Sequence, residues 1–182
     1  MKAGEQLTGF FVCPKKHMIK LLIGLLFFPA FAFTQLVDRV SIKDLKTAVG
    51  QWKGSLTYLD YSSGKLYSMP ANVTISKDKK NEHQLILALQ YPDEPKANEN
   101  DTLIISNDGL QINGAMVVSK EKTGNGLLQI ITEKPGMDGN DNRKVVVKHI
   151  YTIGKKVLVI RKEVRFEGEE KFIMRNEYKM NR

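Results

Sequence analysis

Downstream of Gly50 the apolar residues recur with a period of two, the spacing of strands that bury one face. Trp52, Gly54, Leu56 and Tyr58 fall on one side of a first strand, with Lys53, Ser55 and Thr57 on the other. Leu85, Leu87, Leu89 and Tyr91 share a face in the same way. So do Leu110, Ile112, Gly114, Met116 and Val118, and again Val145, Val147, His149, Tyr151 and Ile153. Strands are expected over 52–61, 65–76, 84–91, 102–106, 110–119, 127–133, 144–153, 156–166 and 171–180, nine in all. The separators at 62–64, 77–82, 92–100, 107–109, 123–126, 135–142, 154 and 167–170 are mostly hairpin-sized and rich in turn residues. Upstream, Ser41 stands as an N-cap, Asp44 at the third helical position and Ile42, Leu45, Ala48 and Val49 at helical spacing. That pattern predicts a short N-terminal helix ending at Gly50.

Short connections with no helix between them favour sequential antiparallel pairing, and a long meander closes because closure removes exposed edges. The expected fold is all-β, an antiparallel up-and-down β-barrel with a short N-terminal helix. A β-sandwich of the same strands is the alternative. The inward faces carry large apolar residues with a few polar tips, which suits a packed core and an apolar ligand pocket equally.

Lys15, Lys16 and Lys20 lead into an uncharged apolar run, 21–33, that ends in Ala30-Phe31-Ala32-Phe33. A basic start, an apolar stretch and a small-x-small site together read as a secretory signal peptide, cut after Ala32 or shortly before Gln35. The run is shorter than the roughly 20 apolar residues that cross a bilayer. Met18 heads the pattern, so residues 1–17 are an extended n-region or lie upstream of the true start. The expected division is a signal segment over 1–34 and a barrel over 35–182. The mature protein is then exported, periplasmic or secreted, with no transmembrane segment. The one cysteine, Cys13, precedes the cut. The mature domain would carry no thiol for a disulfide, a metal, a nucleophile or a lipid anchor.

With 182 residues, 42% hydrophobic and 26% charged, the chain has the composition of one globular domain. Its net charge of +8 falls to +5 over residues 35–182, which hold 24 basic and 19 acidic residues. The basic residues alternate with acids, as in Arg161-Lys162-Glu163-Val164-Arg165, which reads as a solvated face. Without a basic stripe carrying aromatics, no nucleic-acid partner is expected.

Gly50-Gln51-Trp52, following the helix and opening the meander, resembles the Gly-x-Trp signature of the lipocalins and the wider calycin superfamily. Trp52-Lys53-Gly54-Ser55-Leu56 is similar to exported lipocalin-like proteins of bacteria that have no assigned role. The resemblance implies a Trp52 at the closed end of the barrel, packed against a basic residue near the last strand. Arg175 is the best match, although it alternates with Glu177 and Lys179 while Phe172, Met174, Asn176 and Tyr178 take the inward face.

No catalytic signature is found, and the protein is not expected to be an enzyme. Ser62-Ser63-Gly64 lacks a nucleophile elbow, and Glu169 and Glu170 belong to a charged hairpin tip. Asp138-Gly139-Asn140-Asp141-Asn142 lacks the long calcium loop with its terminal glutamate and reads as a hairpin loop whose Gly and Asn take positive φ. No second histidine stands at ligand spacing from His83 or His149, so no metal is expected. Asn72-Val73-Thr74 and Asn100-Asp101-Thr102 are glycosylation sequons, of consequence only in a eukaryotic secretory host.

The leading expectation is an exported barrel that takes a small, mainly apolar molecule into its mouth. Tyr58, His149, Tyr151 and Asn176 are the polar tips that would orient it. A second reading is a packed barrel acting through its surface as a cell-envelope interaction module or inhibitor, with the loop 91–96 as the contact. A third, implied by the haem-binding branch of the superfamily it resembles, is haem held on His149. Against that stands a core histidine bonded to Tyr151 or another polar tip.

Overall fold

A computed structural model describes residues 39–182. The signal segment expected over 1–34, with Cys13, Met18 and the cleavage site, lies outside the described residues. The chain forms ten strands: β1 (Gly50–Asp60), β2 (Lys65–Lys77), β3 (Gln84–Gln90), β4 (Glu99–Ile104), β5 (Gln111–Ile112), β6 (Ala115–Lys122), β7 (Leu128–Asp138), β8 (Arg143–Ile153), β9 (Val157–Phe166) and β10 (Ile173–Asn181). They make a single antiparallel sheet in the order β4-β3-β2-β1-β10-β9-β8-β7-β6-β5. Its two edges meet: Ile105 bridges Ile112, and the Asn113 N–H donates to the Ile104 carbonyl at 2.8 Å. The result is a nearly closed up-and-down barrel, and the sandwich alternative is overturned because one sheet, not two, carries every strand.

The helix expected before Gly50 is a run of turns with a single 3-10 turn at Lys46–Ala48. The Asp44 carboxylate accepts from the Ser41 N–H at 2.8 Å and from its hydroxyl at 2.9 Å, the backward bond of a capping box, but no α-helix follows it. So short a segment has too few internal bonds to offset helix nucleation. Packing holds it instead: Val40, Leu45 and Ala48 are buried in the main core with Trp52.

The strand expected over 110–119 is two strands. Asn113 and Gly114, with φ of 50° and 71°, form a two-residue turn between β5 and β6. The turn inverts the phase, so Ile112, Ala115 and Val117 are buried while Met116 and Val118 are 45% and 54% exposed. At the other end of the prediction, β7 runs through Pro135 to Asp138. Its pairing with β6 stops at Glu133, so the proline sits where one side of the strand is already free.

Alternation along each strand sorts the interior into three levels. Trp52, Ile75, Leu85, Leu103, Ile112, Ile130, Ile153, Leu158 and Met180 belong to the large core at the end closed by the N-terminal turns. Val145, Val147, Val164 and Phe166, with Tyr61 and Ile173, make a smaller cluster further along the strands. Between them, on β8 and β9, stand His149 and Lys162. Near the closed end β1 and β10 approach so closely that a Cβ at Gly54 would overlap the Lys179 carbonyl. Glycine is required there by space, not by φ.

Candidate ligand cavity

A cavity of about 300 Å³ lies inside the barrel. Val73, Leu87, Leu103, Ile112, Leu158 and Met180 supply its apolar part. Its polar part comes from Glu99, Asp101, Asn113, Lys134, His149, Tyr151, Lys162, Asn176 and Tyr178. The register explains the grouping, because antiparallel partners share a face. Thr132 pairs with His149, His149 with Lys162, Lys162 with Asn176 and Asn176 with Tyr58. One row across five strands thus carries three of the four residues expected to orient a ligand. The next row towards the closed end runs Ile130, Tyr151, Ile160, Tyr178 and Leu56.

His149, Tyr151 and Asn176 line the cavity. Tyr58 faces the same interior but packs on Tyr67, with ring centroids 5.4 Å apart, and is not part of the lining. His149 stacks on Tyr151 at 6.1 Å between ring centroids, so the two meet through their faces rather than through the bond expected of a core histidine. Thr132 is fully buried and its hydroxyl has no hydrogen-bond partner among the described residues. Tyr178 shares a 2.5 Å hydrogen bond with Tyr91.

Sequence reasoning missed the charges. Lys162, read as part of a solvated run, points inward, while its neighbours Arg161 and Glu163 form the outer ladder with Lys148, Glu133 and Glu177. Lys134, Asp101 and Glu99 were missed for another reason: they lie beyond the expected strand ends at 133 and 102, Glu99 within the separator 92–100, whereas β7 and β4 extend through them. The signal was available: Lys162 alternates with Ile160 and Val164, Lys134 with Ile130, and Asp101 with Leu103.

Arg175 is also displaced from its expected place. A β-bulge between Met174 and Asn176 puts Arg175 on the inner face and Met174 opposite Glu163 on the outer one, reversing the expectation for both. Arg175 donates to Asp138 at 3.0 Å and to the Leu59 carbonyl at 2.6 Å, and lies 3.7 Å from the centre of the Tyr61 ring. Lys162 approaches the same carboxylate at 3.0 Å. Burial alone would raise the Asp138 pKa; the Gly139 N–H, Lys162 and Arg175 outweigh it and hold the carboxyl below its usual range. Partial burial, reinforced by that carboxylate, pushes Tyr61 up to about 12. The Asp138–Asn142 stretch is accordingly a hairpin turn, with Gly139 and Asn142 at φ of 86° and 53° and the first carboxylate turned into the barrel.

The basic partner of Trp52 is Arg182, not Arg175. Its guanidinium lies 3.8 Å from the indole centre and donates to the Thr47 carbonyl at 2.6 Å and the Val49 carbonyl at 3.2 Å. The indole N–H donates to the Ala48 carbonyl at 2.7 Å. Gly50 has φ of 132°, and a Cβ there would come within 3.2 Å of the Arg182 guanidinium. Each member of the Gly-x-Trp tripeptide's two fixed positions therefore has a physical task at the closed end.

No protein-family model matches the chain, and no curated protein matches its sequence. The architecture is compatible with a calycin-like barrel. Among the described residues no helix is long and apolar enough to cross a membrane.

Burial, reinforced by Lys162 and Lys134, pulls the His149 pKa down from 6.5 to about 4. The unfolded chain therefore binds a proton that the folded chain refuses between those values. Stability rises with pH across the window, is complete above it and is progressively lost as pH falls from about 6.5 towards 4. A ring-proton NMR titration is expected to give a midpoint near 4 for His149. A midpoint at the ordinary value would mean that neither burial nor the two lysines act on the ring.

Proposed function

We propose that this protein is an exported, lipocalin-like carrier that holds a small organic molecule in the barrel cavity. The observation that carries the reading is the cavity itself, apolar towards the closed end and polar around His149, Tyr151 and Asn176. That division is what a selective small-molecule site needs, an apolar body for affinity and a few polar groups for orientation. Export rests on the basic and apolar pattern of residues 15–33. The calycin-like assignment is supported by Gly50, by the buried Trp52 and by the arginine stacked on it.

The volume favours this reading over its rivals. A space of about 300 Å³ is at the lower limit of ligand pockets, which suits a compact molecule and not a macrocycle of haem's size beside His149. A fully packed interior, as the surface-interaction reading needs, is not what surrounds Tyr151. Native mass spectrometry with an absorbance scan, on protein expressed from the full chain and purified gently, is expected to reveal a bound organic mass without a Soret band. Leu87→Trp, which fills the cavity from its apolar side, is expected to retain the barrel by circular dichroism and lose that mass. Bare protein from every preparation, or a mass retained by the filled variant, would defeat the proposal.

A further inference from the structure

Four of the polar groups around the cavity carry charge, and they are divided by sign between its walls. Asp101 and Glu99 lie on β4, opposite Leu87 and Leu89 of β3, so both carboxylates belong to the interior face of that wall. Lys134 and Lys162 lie on β7 and β9, with His149 of β8 between them. Among the described residues neither Asp101 nor Glu99 makes an ion pair, and Lys134 donates only to the Asn113 carbonyl, at 3.1 Å. The acids and the bases thus share one cavity without neutralising each other. Lys162 differs, since Asp138 already holds it at 3.0 Å.

The two carboxylates are exposed at the mouth and Lys134 is half-buried, so water serves them when no ligand is bound. What they fix is a negative field on one side of the opening and a positive one on the other, which a ligand of matching charge pattern complements. An apolar molecule would leave both signs unmatched, and a simple anion or cation would satisfy one wall and be repelled by the other. Building on the small-molecule reading above, we infer that the ligand is a zwitterion: a head bearing an ammonium towards Asp101 and Glu99 and an anion towards Lys134, with a short apolar tail against Val73, Leu87, Leu103 and Leu158. The neighbouring tyrosines fit the cationic side. Tyr91 and Tyr178, joined to each other, both feel the field of Glu99 and Asp101, so an ammonium held there would meet aromatic rings as well as carboxylates.

A matched series with one eight-carbon tail tests this by calorimetry on the full chain, below micelle-forming concentrations. The probes are an octyl sulfobetaine, octanesulfonate, octyltrimethylammonium and octanol. The sulfobetaine is expected to bind at least tenfold more tightly than each of the others. Asp101→Asn is expected to weaken the sulfobetaine about tenfold while leaving octanesulfonate unchanged or improved, and Lys134→Met to weaken it similarly while sparing octyltrimethylammonium. Phenylalanine, added as a free α-amino acid, separates a compact zwitterion from a tailed amphiphile; binding by either supports the charge pairing. If octanol or a singly charged probe binds as tightly as the sulfobetaine, the zwitterion inference falls and the carrier reading stands. If no probe binds, phenylalanine included, both fall.

Discussion

Trp52→Ala is expected to lower the free energy of unfolding by about 3–5 kcal/mol, the range for emptying a large aromatic site in a packed core. The indole is 1% exposed, in contact with the main apolar cluster, and its N–H is satisfied by Ala48. Removing it also takes away the surface on which the Arg182 guanidinium rests. The N-terminal turns are then held to the barrel by Val40, Leu45 and Ala48, by the Arg182 bonds, and by Lys120, which reaches the Arg39 carbonyl and the Asp44 carboxylate. Trp52→Phe keeps most of the packing and loses the hydrogen bond, so about 1–2 kcal/mol is expected. Arg182→Leu removes the stacked cation and two carbonyl contacts and should fall near the same value. Urea unfolding followed by far-ultraviolet circular dichroism reads all three. Trp52 is the only tryptophan, so its emission in the leucine variants reports the stacking directly. A shift in Arg175→Leu with none in Arg182→Leu would refute the pairing described at the closed end.

The contrast between these two arginines shows where the sequence was legible. Alternation placed Trp52, Leu87, Tyr151 and Tyr178 on the inner face because each lies in a stretch of strand free of bulges, where a period of two cannot drift. It failed at two kinds of place. A tight turn at Asn113-Gly114 and a bulge at Arg175 each change the phase by one residue, and one residue is enough to turn a side chain from solvent to core. The other failure concerned the charged residues. Lys162 was assigned to solvent by type as part of a charged run, and Lys134, Asp101 and Asp138 fell beyond the expected strand ends or in a loop, although β7 and β4 carry them onto the inner face. Composition favours that assignment in an ordinary core. In a barrel with a cavity it removes the very groups that would recognise a ligand, which is why the fold was readable and most of the site was not.

Asp138 is where the buried charges are most exposed to test. Its side chain is 7% accessible and meets the Gly139 N–H at 2.7 Å, Arg175 at 3.0 Å and Lys162 at 3.0 Å. Through Arg175 it ties β10 to the end of β1, and through its own position it ties both to the β7–β8 hairpin. Asp138→Ala leaves two cations facing each other inside the barrel without a counter-charge, and about 3–5 kcal/mol of stability is expected to be lost. The loss should be reversible by chemistry rather than by geometry. With Lys162→Met and Arg175→Leu added, the charges disappear together, and most of the stability is expected to return, because well-packed apolar groups replace a buried ionic cluster with little net change. Acid should mimic the single substitution. The folded carboxyl titrates below its ordinary value, so its contribution is complete above the unfolded pKa and is lost as pH falls through the folded one. Denaturant titrations of the parent, the single and the triple variant, repeated across the acid range, measure both effects. A single variant as stable as the parent would show that Lys162 and Arg175 do not depend on Asp138. A triple variant no better than the single one would show that the loss came from the hairpin turn at Gly139 instead of from unpaired charge.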